Sequence, residues 1–132
     1  MYIGFVAFTY DIRADIRKNR LYLRLCGFMS TDEAKQVYDT IMKEIQKLRP
    51  GFAVINDIRE LKPTFQGATE HMRRAQEESF KRGQGRVIRV VGDQTVTHTQ
   101  WTRTLKAAQG QEAKAEIATS VEDAERMLDT GR

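Results

Sequence analysis

The chain has 132 residues, 40% of them hydrophobic and 30% charged, with a formal net charge of +4. That composition supports one folded domain over residues 1–132 and excludes a disordered chain. No apolar run approaches the roughly 20 residues of a membrane-spanning helix, and the one cysteine, Cys26, rules out an intramolecular disulfide or a cysteine-only metal site.

The uncharged run from Tyr2 to Tyr10 carries no basic leader and no small-residue cleavage site, so it reads as structure and not as a signal peptide. Tyr2 to Phe8 is expected to add an apolar edge strand. Such edges seldom stay exposed, which predicts a homodimer through this strand. Tyr10 to Arg17 then alternates. Tyr10, Ile12, Ala14 and Ile16 share one face, and Asp11, Arg13, Asp15 and Arg17 the other, as in a half-buried strand. Lys18-Asn19-Arg20 supplies a turn, because asparagine tolerates a left-handed backbone. Leu21, Leu23 and Leu25 alternate with Tyr22, Arg24 and Cys26, which completes an antiparallel hairpin.

Ser30-Thr31-Asp32-Glu33 forms a capping box, and Ala34, Val37, Tyr38, Ile41, Met42, Ile45 and Leu48 follow at helical spacing. Arg49, Pro50 and Gly51 end that helix. Phe52 to Ile58 is a short apolar strand of the kind buried on both faces. A second helix is predicted over Phe65 to Arg82, stopped by Gly83-Gln84-Gly85. Val87, Ile88, Val90 and Val91 make the next strand. A third, weaker helix is marked by Trp101, Leu105 and Ala108. Ala113, Ala115 and Ile117 alternate as a peripheral strand. Ser120 starts a final helix with Val121, Ala124, Met127 and Leu128 on its apolar side. The order β-β-α-β-α-β-α-β-α predicts an α/β domain whose mainly parallel sheet is opened by an antiparallel hairpin.

This order, the LxLxLxG ending of the second strand (Leu21 to Gly27), the VINDI strand and the SVEDAERML close resemble the STAS-like proteins. These are relatives of the sporulation anti-sigma-factor antagonist and of the soluble domain on sulfate transporters. The likeness is nearest to small bacterial stand-alone members, and it spans nearly the whole chain. It implies a sheet packed by helices. It also implies a hydroxyl residue, at the start of the helix after the third strand, that a partner kinase phosphorylates. Asp57 matches the acidic residue at the strand end. The family's aspartate-serine pair falls at Gln66 and Gly67, so a glycine replaces the hydroxyl and the switch is degenerate. Thr64 and Thr69 flank that position.

Other chemistry finds less support. His71 and His98 are far apart in sequence and show no metal spacing. Cys26 has no neighbouring histidine in sequence and reads as a small buried residue. Gly83-Gln84-Gly85 precedes a strand, the wrong context for a phosphate loop. Asp57 and Asp93 each follow a buried strand, and as a carboxylate pair they would form an acid-base site, a weaker alternative to loop capping. Basic residues crowd the hairpin and the middle of the chain, but no aromatics interleave with them as a single-strand nucleic-acid binder needs.

The expectation is therefore a non-enzymatic regulatory or protein-interaction module. It is expected to be cytoplasmic, as the lone cysteine suggests, and to use a protein partner, with no cofactor, metal, nucleic acid or membrane insertion. Its working face would comprise Asp57, Thr64, Gln66, Gly67, Thr69 and Asp93. The alternative is a small-molecule or lipid binder, with an apolar ligand held among Phe65, Met72, Phe80 and Trp101 beneath the second and third helices.

Overall fold

A computed structural model describes residues 7–62, 66–92 and 115–131. Within them the chain runs β1 (Thr9–Asp15), β2 (Arg20–Gly27), α1 (Thr31–Ile45), β3 (Ala53–Leu61), α2 (Gln66–Lys81), β4 (Val87–Val90), β5 (Glu116–Ala118) and α3 (Val121–Thr130). The strands form one five-stranded sheet in the order β1-β2-β3-β4-β5. β1 and β2 pair antiparallel, and all later pairings are parallel. The protein is thus α/β with a mixed sheet opened by a hairpin. The helix expected around Trp101 lies outside the described residues, as does most of the expected strand over Tyr2–Phe8. Ala7 and Phe8 are described and belong to no strand.

The hairpin forms where the alternation predicts it. Its turn is made by Asn19, whose φ of +56° lies in the left-handed region that asparagine accepts. β1 stops at Asp15, so Ile16 falls in the turn and is exposed rather than continuing the apolar face.

β3 is the central strand, and every residue from Ala53 to Ile58 is buried. Alternate side chains feed two cores. On one face Val54 and Ile58 join Leu21, Leu23 and Leu25 of β2 beneath Val37, Ile41 and Ile45 of α1 and Ala68, Met72 and Ala75 of α2. On the other face Ile55, Ile88, Val90 and Ala118 meet Ala124 of α3, with Val121, Met127 and Leu128 packed around it. β3 runs to Leu61, three residues past the apolar pattern. Parallel pairing to the end of β2 (Cys26 with Glu60, Gly27 with Leu61) keeps it extended after a register shift. β5 corrects the expected phase of the last strand: Ala118 points into the core and Ile117 is exposed.

α3 is short, and charged groups fasten it to the sheet. Arg20, on β2, donates to Glu125 at 3.0 Å and to Asp129 at 2.7 Å. Lys18 donates to the second Glu125 oxygen at 3.0 Å, and the Tyr22 hydroxyl also donates to Glu125. Burial and the Glu125 carboxylate push Tyr22 up to about 12. Burial alone would raise Glu125, but the bonds from Tyr22, Lys18 and Arg20 hold it below its usual value. A carboxylate depressed in the folded state stabilises the fold above its unfolded pKa and loses that contribution as pH falls through its folded pKa. Stability should therefore decline below about pH 4.3, the unfolded glutamate value, with α3 amides the first to gain hydrogen exchange. Glu125→Gln should cost about 1–2 kcal/mol at neutral pH and flatten that acid limb, as read from denaturation midpoints across pH.

Candidate functional site

β2 and β3 end side by side, with the Lys62 amide donating to the Gly27 carbonyl at 3.0 Å. Both strands then lead toward helices that start on the same edge of the sheet. At α1, the Ser30 hydroxyl accepts from the Glu33 amide at 3.2 Å, and the Glu33 carboxylate accepts from the Ser30 amide at 2.9 Å. This is the reciprocal cap that the Ser30–Glu33 spacing predicts.

At α2 the helix opens with Gln66 and Gly67. A Cβ placed on Gly67 would lie 2.5 Å from the Thr31 hydroxyl oxygen. Thr31 therefore occupies the space that a side chain at residue 67 would need, and the first turns of α1 and α2 touch there. Just before α1, Met29 is fully buried while Phe28 turns outward with 46% of its surface exposed. The edge thus carries an aromatic side chain, the two exposed residues Ser30 and Thr31, and a helix start. Thr69 is half-buried one turn further on. Thr64 lies outside the described residues.

Asp57 does not belong to this edge. The strand continues four residues beyond it, so it stands within β3 and not at the strand end. It and its neighbour Asn56 face opposite sides of the sheet, Asn56 beneath α2 and Asp57 toward Val121 of α3. Register places Asp11, Arg24 and Asp57 in one row across β1, β2 and β3. Arg59 closes the row, donating from its side chain to both Asp57 oxygens at 3.0 and 2.8 Å and from its backbone amide at 3.2 Å. Burial would raise the Asp57 carboxyl, but these bonds hold it below the usual aspartate value. Beside this row the Arg13 guanidinium sits 4.2 Å over the Tyr22 ring. Asp11, Arg13, Tyr22, Arg24 and Asp57 line a cleft of about 150 Å³, in which Asp57 is paired with Arg59.

A third feature lies between α2 and the sheet. A cavity of about 40 Å³ has an apolar wall that includes Leu23, Ile41 and Met72, and a polar wall made by Asn56, Gln76, Ser79, Gln84 and Arg89. Asn56, Ser79 and Arg89 are buried. Asn56 Oδ1 and Gln76 Oε1 have no hydrogen-bond partner. Of the residues expected to form an apolar pocket, Met72 lines this cavity, Phe80 is exposed on α2, and Phe65 and Trp101 lie outside the described residues. Asp93 and His98 also lie outside them. His71 is half-buried on α2, and the thiol of Cys26 is free and half-buried. Among the described residues no group of His, Cys, Asp and Glu is placed to hold a metal ion, and no helix is long and apolar enough to cross a membrane.

No protein-family model matches this chain, and no curated protein matches it.

Thr31 carries no sign of this role in the sequence because its meeting with Gly67 of α2 is a tertiary event, and Phe28 none because its exposure beside the buried Met29 is decided by packing. Asn56 and Arg89 left a local signal: each is the polar residue that interrupts an apolar strand, in VINDI and in VIRV. The contact between the helix starts predicts a reversal of sign. Gly67→Ala alone should destabilise by about 0.5–2 kcal/mol, because the added methyl meets the stiff Thr31 side chain. In a Thr31→Ala background the same change should become neutral or stabilising by up to about 1 kcal/mol, the usual gain for replacing a helical glycine. Urea denaturation of the four chains measures this coupling directly.

Proposed function

We propose that this protein is a non-enzymatic regulatory module of STAS-like type, which binds a protein partner at the edge where α1 and α2 begin. The mixed sheet opened by a hairpin agrees with that reading. One observation carries it: Phe28 is exposed beside two packed helix starts, although Met29 next to it is fully buried. An exposed aromatic flanked by hydroxyls and first-turn amides is the chemistry of an interface anchor within a polar rim. The phosphoswitch is degenerate in this reading. Gly67 carries no hydroxyl, and Thr31 fills its place sterically.

The arrangement of charge also favours binding over catalysis. Asp57, the carboxylate best placed by sequence for chemistry, is neutralised by Arg59 and separated by the sheet from Gly67 and Thr69. Among the described residues, size weighs against a drug-sized ligand in the cavity beneath α2. The cavity under α2 is about 40 Å³, whereas pockets for drug-sized ligands are roughly 300–1,000 Å³.

Phe28→Ser tests the proposal without disturbing the core. The variant should melt with the parent, within about 0.5 kcal/mol, as exposed sites do. A partner that copurifies with the parent chain from its own cells should bind the variant at least about tenfold more weakly, the loss expected for an interface anchor. If the parent elutes alone, or the partner binds both chains equally, this edge is not the working face.

A further inference from the structure

β1 is an edge strand among the described residues. In an antiparallel pair every second residue exchanges backbone bonds with the neighbouring strand, and the others turn their N–H and C=O groups away from it. Ala14 is of the second kind, because its amide donates to Glu44 Oε1 of α1 at 3.0 Å. Ile12 and Tyr10 precede it on the same phase of an unbroken register with β2, so their amides and carbonyls face the same open side. Glu44 covers this edge at Ala14. Among the described residues nothing bonds the outward groups of Tyr10 and Ile12. Edges left open in this way are templates for another strand. The side chains add charge to the edge. Asp11 and Arg13 are exposed on the face toward α3, while Ile12 joins the core beneath α1. Neither Asp11 nor Arg13 has an ion-pair partner among the described residues. Arg13 lies over the Tyr22 ring, a stacking that leaves the N–H groups on the rim of the guanidinium able to donate.

We propose that β1 pairs antiparallel with β1 of a second copy of this chain, about a two-fold axis through Ile12 perpendicular to the sheet. The strand reads TYDIRAD over Thr9–Asp15 and is self-complementary about Ile12. In that register Asp11 stands opposite the partner's Arg13, and Arg13 opposite the partner's Asp11. Tyr10 stands opposite the partner's Ala14, a large side chain beside a small one, and Thr9 opposite the partner's Asp15. Each Ile12 amide donates to the other copy's Ile12 carbonyl, and each Tyr10 amide to the partner's Ala14 carbonyl. The Ala14 amide stays with Glu44. Charge selects this register over its neighbours. An axis at Asp11 sets that carboxylate against its own copy. An axis at Arg13 sets the guanidinium against its own copy and Asp11 against the partner's Asp15. Like charges directly opposite each other destabilise a strand pair. Registers further out lose most of the overlap. A two-fold pairing uses the same patch on both copies, so it closes as a dimer and does not extend. The surface rests on β1, not on the run from Tyr2 to Phe8, and it is independent of the edge where α1 and α2 begin.

Charge reversal tests both the surface and its register. Sedimentation of the full chain at neutral pH and low salt, from about 1 μM to about 1 mM, covers the range of small interfaces. The parent should pass from monomer to dimer within it. Asp11→Arg sets like charges opposite each other at both symmetric positions, and so does Arg13→Asp. Each variant should dimerise at least about tenfold more weakly than the parent. An equimolar mixture of the two variants restores opposite charges across the pair, and it should form a heterodimer about as tight as the parent dimer. The double variant Asp11→Arg/Arg13→Asp should dimerise like the parent. Hydrogen exchange supplies a reading that needs no variant. The amides of Tyr10 and Ile12 should exchange more slowly as the concentration of the parent chain rises. That measurement decides the matter even if Arg13→Asp does not fold. A parent that stays monomeric to about 1 mM, a dimer that neither charge reversal weakens, or a mixture no tighter than its separate variants would each overturn the proposal. A dimer that leaves exchange at Tyr10 and Ile12 unchanged would do the same.

Discussion

The burial of β3 on both faces is the constraint on which the rest of this structure depends. A strand with parallel neighbours on each side has no solvent-facing row of side chains. Each of its residues must therefore be apolar or have its polar groups matched. Val54 and Ile58 anchor the core under α1 and α2, and Ile55 anchors the smaller core under α3. The two polar residues between them are handled differently. Asp57 is matched by Arg59 within the strand itself, across the irregularity that interrupts the register with β2. Asn56 keeps an acceptor without a partner and faces a cavity.

The sheet also divides the functional surfaces. α1 and α2 lie on one side, and their starts meet at the ends of β2 and β3, through Thr31 and Gly67. α3 lies on the other side, over a core of small extent, and ionic contacts to Arg20 and Lys18 supplement its packing. Arg20 is largely buried, so its pairing with Glu125 and Asp129 is screened less than an exposed ion pair would be. Among the basic residues of the hairpin, Arg20 is buried while Arg13, Arg17, Lys18 and Arg24 are exposed. Arg13 stacks on Tyr22, Arg24 stands in register between Asp11 and Asp57, and Arg20 holds α3.

The helices were legible because their signals are local. The Ser30–Glu33 cap, the spacing of Val37, Ile41 and Ile45, and the Ser120 cap each act within a few residues. The hairpin was legible for the same reason, through alternation and Asn19. The end of β3 was not, because Arg59 and Glu60 are charged and are held extended only by pairing with β2. The phase of β5 was missed because alanine and isoleucine both suit a strand, and only contact with α3 selects Ala118 for the core. The expected working face was split for a related reason. Residues close in sequence, such as Asp57 and Gly67, were grouped together, although alternation in β3 sends Asp57 to the side away from α2.

The sequence by itself determined the kind and order of the described elements, since periodicity, caps and turn residues act over short range. It also marked Asn56, Asp57 and Arg89 as polar residues within apolar strands. Only the tertiary structure decided their meaning. Strand register and the side of the sheet on which each helix packs are long-range choices. They paired Asp57 with Arg59, placed Thr31 against Gly67, and brought Asn56, Gln76 and Arg89 to one cavity.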